Sequence, residues 1–495
     1  MASSVLGGSL DKVRKDSAPK DGPLRLVLQL DHAVNALRRD RPAMSAGNPL
    51  VPWQRAAIYG VSVVMPAAVA LIVTGRGDVI ALALTALFAV IVLVRVAALW
   101  QLVFPNAAHS AAYNPIPDAN LPRYSVLVPV FREVAIAPAL VQAMGALDYP
   151  TDKLEIIFIT EASDPQTRAA LSAASPPAHM QIITVPAGQP QTKPRALNYA
   201  LQAATGELIA VFDAEDVPDP QQLRKAAAMF ATGGSELACV QARLSIYNPE
   251  VSFWTRQFTL EYAALFEAIL PALERLGLPI LLGGTSNHFR RSALAKVGAW
   301  DPFNVTEDAD LGVRLARHGY RVDMLDSDTW EEAPRTVSAW LGQRTRWLKG
   351  WMQTYLVHMR HPRELFRDLG AWRVFGVQVM LGGMILSALV HPWFYLVVTG
   401  KMMLGHPMLP ESGSLWMVCW FNFVVGHAVG IALALISAWR SQGRVPLGSA
   451  LQVPGYWLLI SIASYRALWD LYTRPFYWQK TAHAARPVTS THAPT

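Results

Sequence analysis

Leu208-Ile209-Ala210-Val211-Phe212-Asp213-Ala214-Glu215-Asp216 is an apolar run that ends in a cluster of acids. A short uncharged run closed by a turn is the pattern of a buried strand in a parallel sheet. Carboxylates one residue apart at such a strand end can hold one octahedral Mg²⁺ or Mn²⁺ together with the phosphates of a substrate. They also suit an acid-rich turn before a helix, whose N-terminus attracts negative charge. Taken alone, the stretch leaves both readings open.

Working outward, residues 124–130, 155–160 and 180–185 repeat the buried-strand texture, and helical patterns follow over 194–204 and 220–231. Strands alternating with helices predict an α/β sheet. In such sheets ligands gather at the carboxyl ends of the strands, where the chain places Glu161, Asp164, Lys193 and Asp213. Lys193-Pro194-Arg195 gives a cationic start to a helix, suited to phosphate. Residues 251–282 form an aromatic-rich helical run with few charges, read as an interfacial helix lying under a membrane, with a core helix as the alternative.

The composition supplies the membrane. Of 495 residues, 52% are hydrophobic and only 16% charged, against about a quarter charged in soluble chains. The mean hydropathy is positive, which excludes a disordered, fibrous or purely soluble protein. Apolar runs at 56–74 and 79–104 are long enough to cross a bilayer, as are 374–399 and 415–439. A last run at 446–471 is broken by Pro446, Pro454 and Gly455; it crosses once or forms re-entrant or interfacial helices. Arg95, the one charge in the second run, is expected to snorkel to the headgroups.

The net charge of +7 is concentrated where the positive-inside rule puts it, not in a nucleic-acid footprint. Lys12, Arg14, Lys15, Lys20, Arg25, Arg38, Arg39, Arg41 and Arg55 precede the first run, and Arg440 and Arg444 follow the fourth. This tail is too long and charged for a cleavable signal peptide, and 24–37 is read as a helix on the membrane surface or a mobile tail. Both ends of the first helical hairpin, and the globular region after it, are therefore expected in the cytoplasm. Cys239 and Cys419 are too few and too far apart for a disulfide framework or a zinc cluster, so that compartment is expected to be reducing.

Two further motifs carry chemistry. Thr306-Glu307-Asp308 opens a helical segment ending at Gly319, and reads either as a Thr cap with first-turn acids or as a rigidly held general base. In Gln343-Arg344-Thr345-Arg346-Trp347, helical spacing puts Gln343, Arg346 and Trp347 on one face. A guanidinium can clamp a diphosphate and an indole can stack on a sugar ring, although interfacial Trp/Arg belts look alike. Gly283-Gly284-Thr285-Ser286-Asn287 reads as a tight turn.

The order and spacing of these elements resemble the processive, membrane-embedded family 2 glycosyltransferases, which include bacterial cellulose synthase, hyaluronan synthase and β-glucan synthases. The resemblance rests on Ser125-Val126-Leu127-Val128-Pro129 with Glu133, on Glu161 to Asp164, on Asp213 to Asp216, on Thr306 to Asp308 and on Gln343 to Trp347, and covers about residues 50–475. It implies a multi-pass membrane protein with an α/β GT-A cytosolic domain flanked by transmembrane α-helices. The expected division is a basic tail at 1–55, a transmembrane hairpin at 56–104 and a catalytic domain at 121–350 with interfacial helices near 251–282 and 338–360. A transmembrane region at 374–471 and a basic tail at 472–495 follow. The family's DxD reads Asp213-Ala214-Glu215 here, so either Glu215 or Asp216 is the second metal ligand, and either Glu161 or Asp164 meets the nucleotide. The implied roles are Asp308 as catalytic base, Mg²⁺ or Mn²⁺ on Asp213 with Glu215 or Asp216, and substrate contacts from Glu161, Asp164, Lys193, Thr306, Glu307, Gln343, Arg344, Arg346 and Trp347. The implied activity is inverting hexosyl transfer, in a bacterial inner membrane, from a UDP-sugar, foremost UDP-glucose, to a growing β-linked polysaccharide that is exported. Membrane lipids and periplasmic or outer-membrane export proteins are the implied partners. The alternatives are a non-processive transferase acting on a lipid and a synthase using UDP-N-acetylglucosamine.

Overall fold

The computed structural model describes residues 22–48, 50–104, 114–407, 413–443 and 447–477. Lys12, Arg14, Lys15, Lys20 and Arg444, and the part of the expected C-terminal tail from 478 onward, lie outside them.

Eight strands form one mixed sheet in the order β3-β2-β1-β4-β7-β6-β8-β5. They are β1 (Tyr124–Pro129), β2 (Leu154–Glu161), β3 (Met180–Val185), β4 (Leu208–Val211), β5 (Val217–Pro218), β6 (Leu237–Ile246), β7 (Asn287–Arg290) and β8 (Arg321–Glu331). The first four are parallel, with Val126 opposite Ile156 on one side and Ala210 on the other. Alternate side chains of these strands enter two apolar layers, because both faces of a parallel sheet are covered. Leu127, Ile157, Ile209 and Val211 face one layer. Val126, Val128, Ile156 and Phe158 face the other. The chain winds β1 to β2 to β3 one way and then returns to place β4 on the far side of β1. That reversal opens a crevice beyond the carboxyl ends of β1 and β4, where the acidic stretch begins.

The helices, in chain order, are α1 (Gly22–Asp40), α2 (Pro52–Val73), α3 (Asp78–Val103), α4 (Ala137–Gly145), α5 (Pro165–Ala173), α6 (Lys193–Leu201) and α7 (Gln222–Thr232). Then come α8 (Phe253–Ala263), α9 (Arg291–Val297), α10 (Glu307–Arg317) and α11 (Val337–His358). The membrane-side helices that follow are α12 (Pro362–Met403), bent at Gly370 where φ is 71°, and α13 (Gly413–Gln442). The last is α14 (Val453–Thr473). Among the described residues α2, α3, α12 and α13 are long and apolar enough to cross a membrane.

Two expectations are corrected. Region 24–37 is not a free tail: α1 packs on the globular domain, burying Ala33, Val34 and Leu37. Asn198 donates to Ala33 O (3.0 Å), and the strap after α1 is gripped by Arg360, which donates to the carbonyls of Pro42 (3.2 Å), Ala43 (3.0 Å), Ser45 (2.8 Å) and Asn48 (2.7 Å). Arg95 does not reach outward; it turns inward over Trp457, 5.3 Å from the ring centroid. The run at 446–471 holds a short helical turn at Leu447–Ala450 and then α14, which packs along α11: Tyr456 OH accepts from Trp340 Nε1 (2.7 Å), and Ala463 and Ala467 pack on Leu348 and Met352.

The aromatic run from 251 joins the sheet's core to the long apolar helices. Phe258, Tyr262 and Phe266 enter the core beside the sheet, while Ala268 and Ala272 meet Ala98, Leu102 and Leu433 of α3 and α13. Helix α10 backs onto the loop before β7 so closely that a Cβ on Gly312 would lie 2.3 Å from Ile280 O. Gly312→Ala is therefore expected to lower stability by about 2 kcal/mol, the usual cost of overpacking a core. Thermal unfolding of the detergent-solubilised variant measures this, and an unchanged midpoint would show that the contact yields.

Candidate active site

The ends of β1, β2 and β4, the loop at Gly283-Gly284-Thr285, the start of α10 and one face of α11 enclose the same cavity, of about 910 Å³. Asp213 lies two residues past the end of β4, after the buried Phe212. Lys193, at the start of α6, is ion-paired with Asp213 and donates to Gly284 O (2.6 Å). Gly284 sits close against the pair: a Cβ there would lie 3.2 Å from Asp308 Oδ2 and 3.9 Å from Lys193 Nζ. Asp213, Lys193 and Asp308 thus converge on one glycine from three separate segments.

The acids of the β4 end divide by direction. Glu215 lines the cavity with Asp213. Asp216 turns into the protein, where its Oδ2 accepts from Asp213 N (2.7 Å) and from the Thr285 hydroxyl. Burial and the neighbouring Asp213 and Glu215 raise its carboxyl well above the ordinary range. Glu161 faces the cavity and is ion-paired with the buried Arg195. Asp164 caps α5 instead, accepting from Thr167 N (3.3 Å) and from Arg132 N. In both ambiguous pairs, one acid meets the cavity and the other holds the backbone that shapes it.

At the start of α10 Thr306 occupies the cap position, but its hydroxyl does not cap the helix. It lies under α11, where a Cβ on Gly350 would come within 2.3 Å of Thr306 Oγ1. Asp308 Oδ1 accepts from Ala309 N (2.7 Å). Burial raises the Asp308 carboxyl, and burial reinforced by Asp308 raises Glu307 to about 7, with Lys193 and Arg346 opposing. On α11, Gln343, Arg346 and Trp347 share the cavity wall as the helical spacing predicted. Arg344 also reaches that wall, but its guanidinium grips Glu261 at 2.8 and 2.6 Å. Trp347 is stacked on Tyr262, with centroids 6.1 Å apart.

Sequence reasoning missed Glu331. It ends β8, lines the cavity, and its carboxyl is raised well above the usual range by burial and then by Asp216, Glu215 and Asp213. The signal available was the acid pair Glu331-Glu332 closing an apolar-alternating strand. Among the described residues no three His, Cys, Asp or Glu side chains are grouped to hold a cation by themselves. Two cavity-facing carboxylates in an acid-rich recess nonetheless suit a hard ion that takes its remaining ligands from phosphate oxygens and water.

The contrast between Glu215 and Asp216 is testable. Glu215→Gln is expected to weaken Mn²⁺-dependent UDP binding about tenfold or more while leaving the thermal midpoint within a few degrees. Asp216→Asn is expected to do the reverse, because its Oδ2 holds both the Asp213 amide and the Thr285 hydroxyl. Calorimetric titration with and without EDTA, paired with melting curves, separates the two.

Residues 122–350 match the family model described as Glycosyltransferase like family 2. The beta-monoglucosyldiacylglycerol synthase of Synechocystis is 31% identical over 243 residues, covering 48% of this chain and 50% of that protein. A probable glucomannan 4-beta-mannosyltransferase of Arabidopsis thaliana is 25% identical over 244 residues, 47% of this chain and 43% of its own length. The chain thus spans about half the length of the curated relatives it matches. The mannosyltransferase PcManGT from Pyrobaculum calidifontis, solved with GDP-Man and Mn²⁺, superposes with a TM-score of 0.53 at 18% identity, covering 80% of this chain and 99% of that one, a likeness of fold. With the sheet reversal and the acidic strand end in place, residues 122–350 are a family 2 glycosyltransferase domain of GT-A-like fold.

Proposed function

We propose that the chain is an inverting hexosyltransferase of a bacterial inner membrane, with its catalytic domain on the cytoplasmic side, that extends a β-linked polysaccharide from a UDP-sugar, foremost UDP-glucose, and passes the product outward. The observation that carries this reading is the reach of the cavity. It begins at Asp213 and Asp308 and continues between the helices to Ile72, Asp78, Lys401 and Leu415. Those four residues belong to the ends of α2, α3, α12 and α13 farthest from the globular domain. Helices α2, α3, α13, α14 and α12 contact one another in a closed ring around it. A cavity that runs the length of the long apolar helices is more than a single transfer to a membrane lipid requires.

In this reading Asp213 and Glu215 would hold Mg²⁺ or Mn²⁺, which would neutralise the charge that builds on the leaving group. Lys193, Gln343 and Arg346 orient the diphosphate, and Glu161 meets the nucleotide. Asp308 accepts the proton of the acceptor hydroxyl as its oxygen bonds the anomeric carbon. The bond from that carbon to the diphosphate oxygen breaks with its electron pair leaving on UDP, so the configuration inverts. Trp347 braces the terminal acceptor sugar.

A second reading, glycosylation of a lipid, is favoured by the largely apolar wall and by the named product of the Synechocystis relative. The products differ in solubility and size: polymer retained on a gel against a single sugar extracted into chloroform.

Asp308→Asn is expected to reduce turnover by about 10²–10⁴-fold while UDP binding persists. The base acts deprotonated and its carboxyl is raised, so activity should climb with pH across and above the ordinary carboxylate range and then level off; UDP release measured against pH checks this. Cys419 gives a second test, since it lines the cavity within α13 and Cys239, the other thiol, is buried. A maleimide should label Cys419 in resting enzyme and several-fold less once UDP-glucose and Mg²⁺ fill the passage with polymer. Labelling indifferent to donor would favour the lipid reading.

A further inference from the structure

Arg95 projects from α3 into the cavity about 12 Å before the end of that helix nearest the globular domain, at 1.5 Å per residue. A hydrocarbon layer of about 30 Å centred on α3 would enclose it. A guanidinium has five N–H donors and keeps its charge at physiological pH. Among the described residues none of those donors meets a hydrogen-bond acceptor or a carboxylate within ion-pair distance; the recorded partner is the face of Trp457. The acid whose field reaches Arg95 is Glu261. Both oxygens of Glu261 are already engaged, by Arg344 at 2.8 and 2.6 Å and by Tyr456 OH at 3.0 Å. Two guanidinium groups therefore share one carboxylate, and the one left over faces the open passage.

A second polar point lies on the same wall. Asn422 donates to Thr85 O (2.7 Å), leaving its buried Oδ1 without a partner. Thr85 precedes Arg95 by ten residues, about 15 Å along α3 toward its far end. Open guanidinium donors on a wall that also carries Thr85, Ser387, His391, Asn422, His427 and Ser461 have no use to an acyl chain. Hydroxyl groups, which both donate and accept, complement them.

We propose that Arg95, followed by Asn422, forms a glycan-binding station on the passage, its fork donating to the hydroxyl oxygens of sugar residues already polymerised. The inference rests on the export reading above. Its function is retention: a chain end held behind the transfer site stays for the next addition, so polymer length is set by elongation against release.

The test compares product length for Arg95→Leu, Arg95→Gln and the parent enzyme in proteoliposomes supplied with UDP-glucose and Mg²⁺. Loss of hydrogen bonds to a charged donor speeds release about tenfold or more, so Arg95→Leu should shorten the polymer by about that factor, with a smaller change in the rate of UDP release. Arg95→Gln, which keeps two donors without the charge, should give intermediate lengths and guards against a folding defect in the leucine variant. Polymer of parental length from Arg95→Leu, or equal shortening in both variants, overturns this inference and leaves the export reading standing. A parent enzyme that yields only singly glycosylated lipid overturns both.

Discussion

Mutual repulsion among carboxylates is the constraint on which the site depends. Asp213, Glu215, Asp216, Glu307, Asp308 and Glu331 come from three regions of the sequence and lie in or against one recess, with Lys193 as the cation at their centre. At low dielectric such a group cannot all be ionised together. Asp216, which is buried, and Glu331, which is half-buried, are pushed toward the protonated state, and Lys193 is ion-paired with Asp213. The recess is thereby charged for a cation and for a substrate that brings one.

The geometry of that recess is fixed from behind by α11. Asn304 donates to Thr354 (2.9 Å), Val305 N donates to Gln353 (3.2 Å), and Asp310 joins His358 (3.1 Å) and Arg314 (2.7 Å) without exposure to solvent. The segment bearing Asp308 is thus bolted to the helix bearing Arg346 and Trp347. That helix packs along α14 and hence against α12, so the base and the passage share one rigid support.

Much of this was legible in the sequence because the signals were local. Apolar runs closed by acids or glycines gave the four parallel strands to within a residue or two, and runs of some twenty apolar residues gave the four long membrane-type helices. Three things resisted. The mixed half of the sheet arises from antiparallel pairings such as Val240 with His288 beside the parallel pair β6 and β8, which no short pattern announces. The direction in which Glu215 and Asp216 point depends on Thr285, some seventy residues away. Arg95 looked like a snorkelling residue because its inward partner, Trp457, lies on the last helix.

The grip of Arg360 on the strap after α1 has a consequence for biogenesis. The residues it holds lie up to 318 positions earlier in the chain. At ribosomal speeds of about 5–20 residues per second, roughly fifteen seconds to a minute separates their emergence from that of their anchor. During that interval α2 and α3 are already available to the insertion machinery, while α1 has no surface to bury Leu37 against. The amino-terminal segment is therefore a late fastener, closing over a domain completed after it, and its exposure in the nascent chain is a window in which a chaperone or a protease competes with folding.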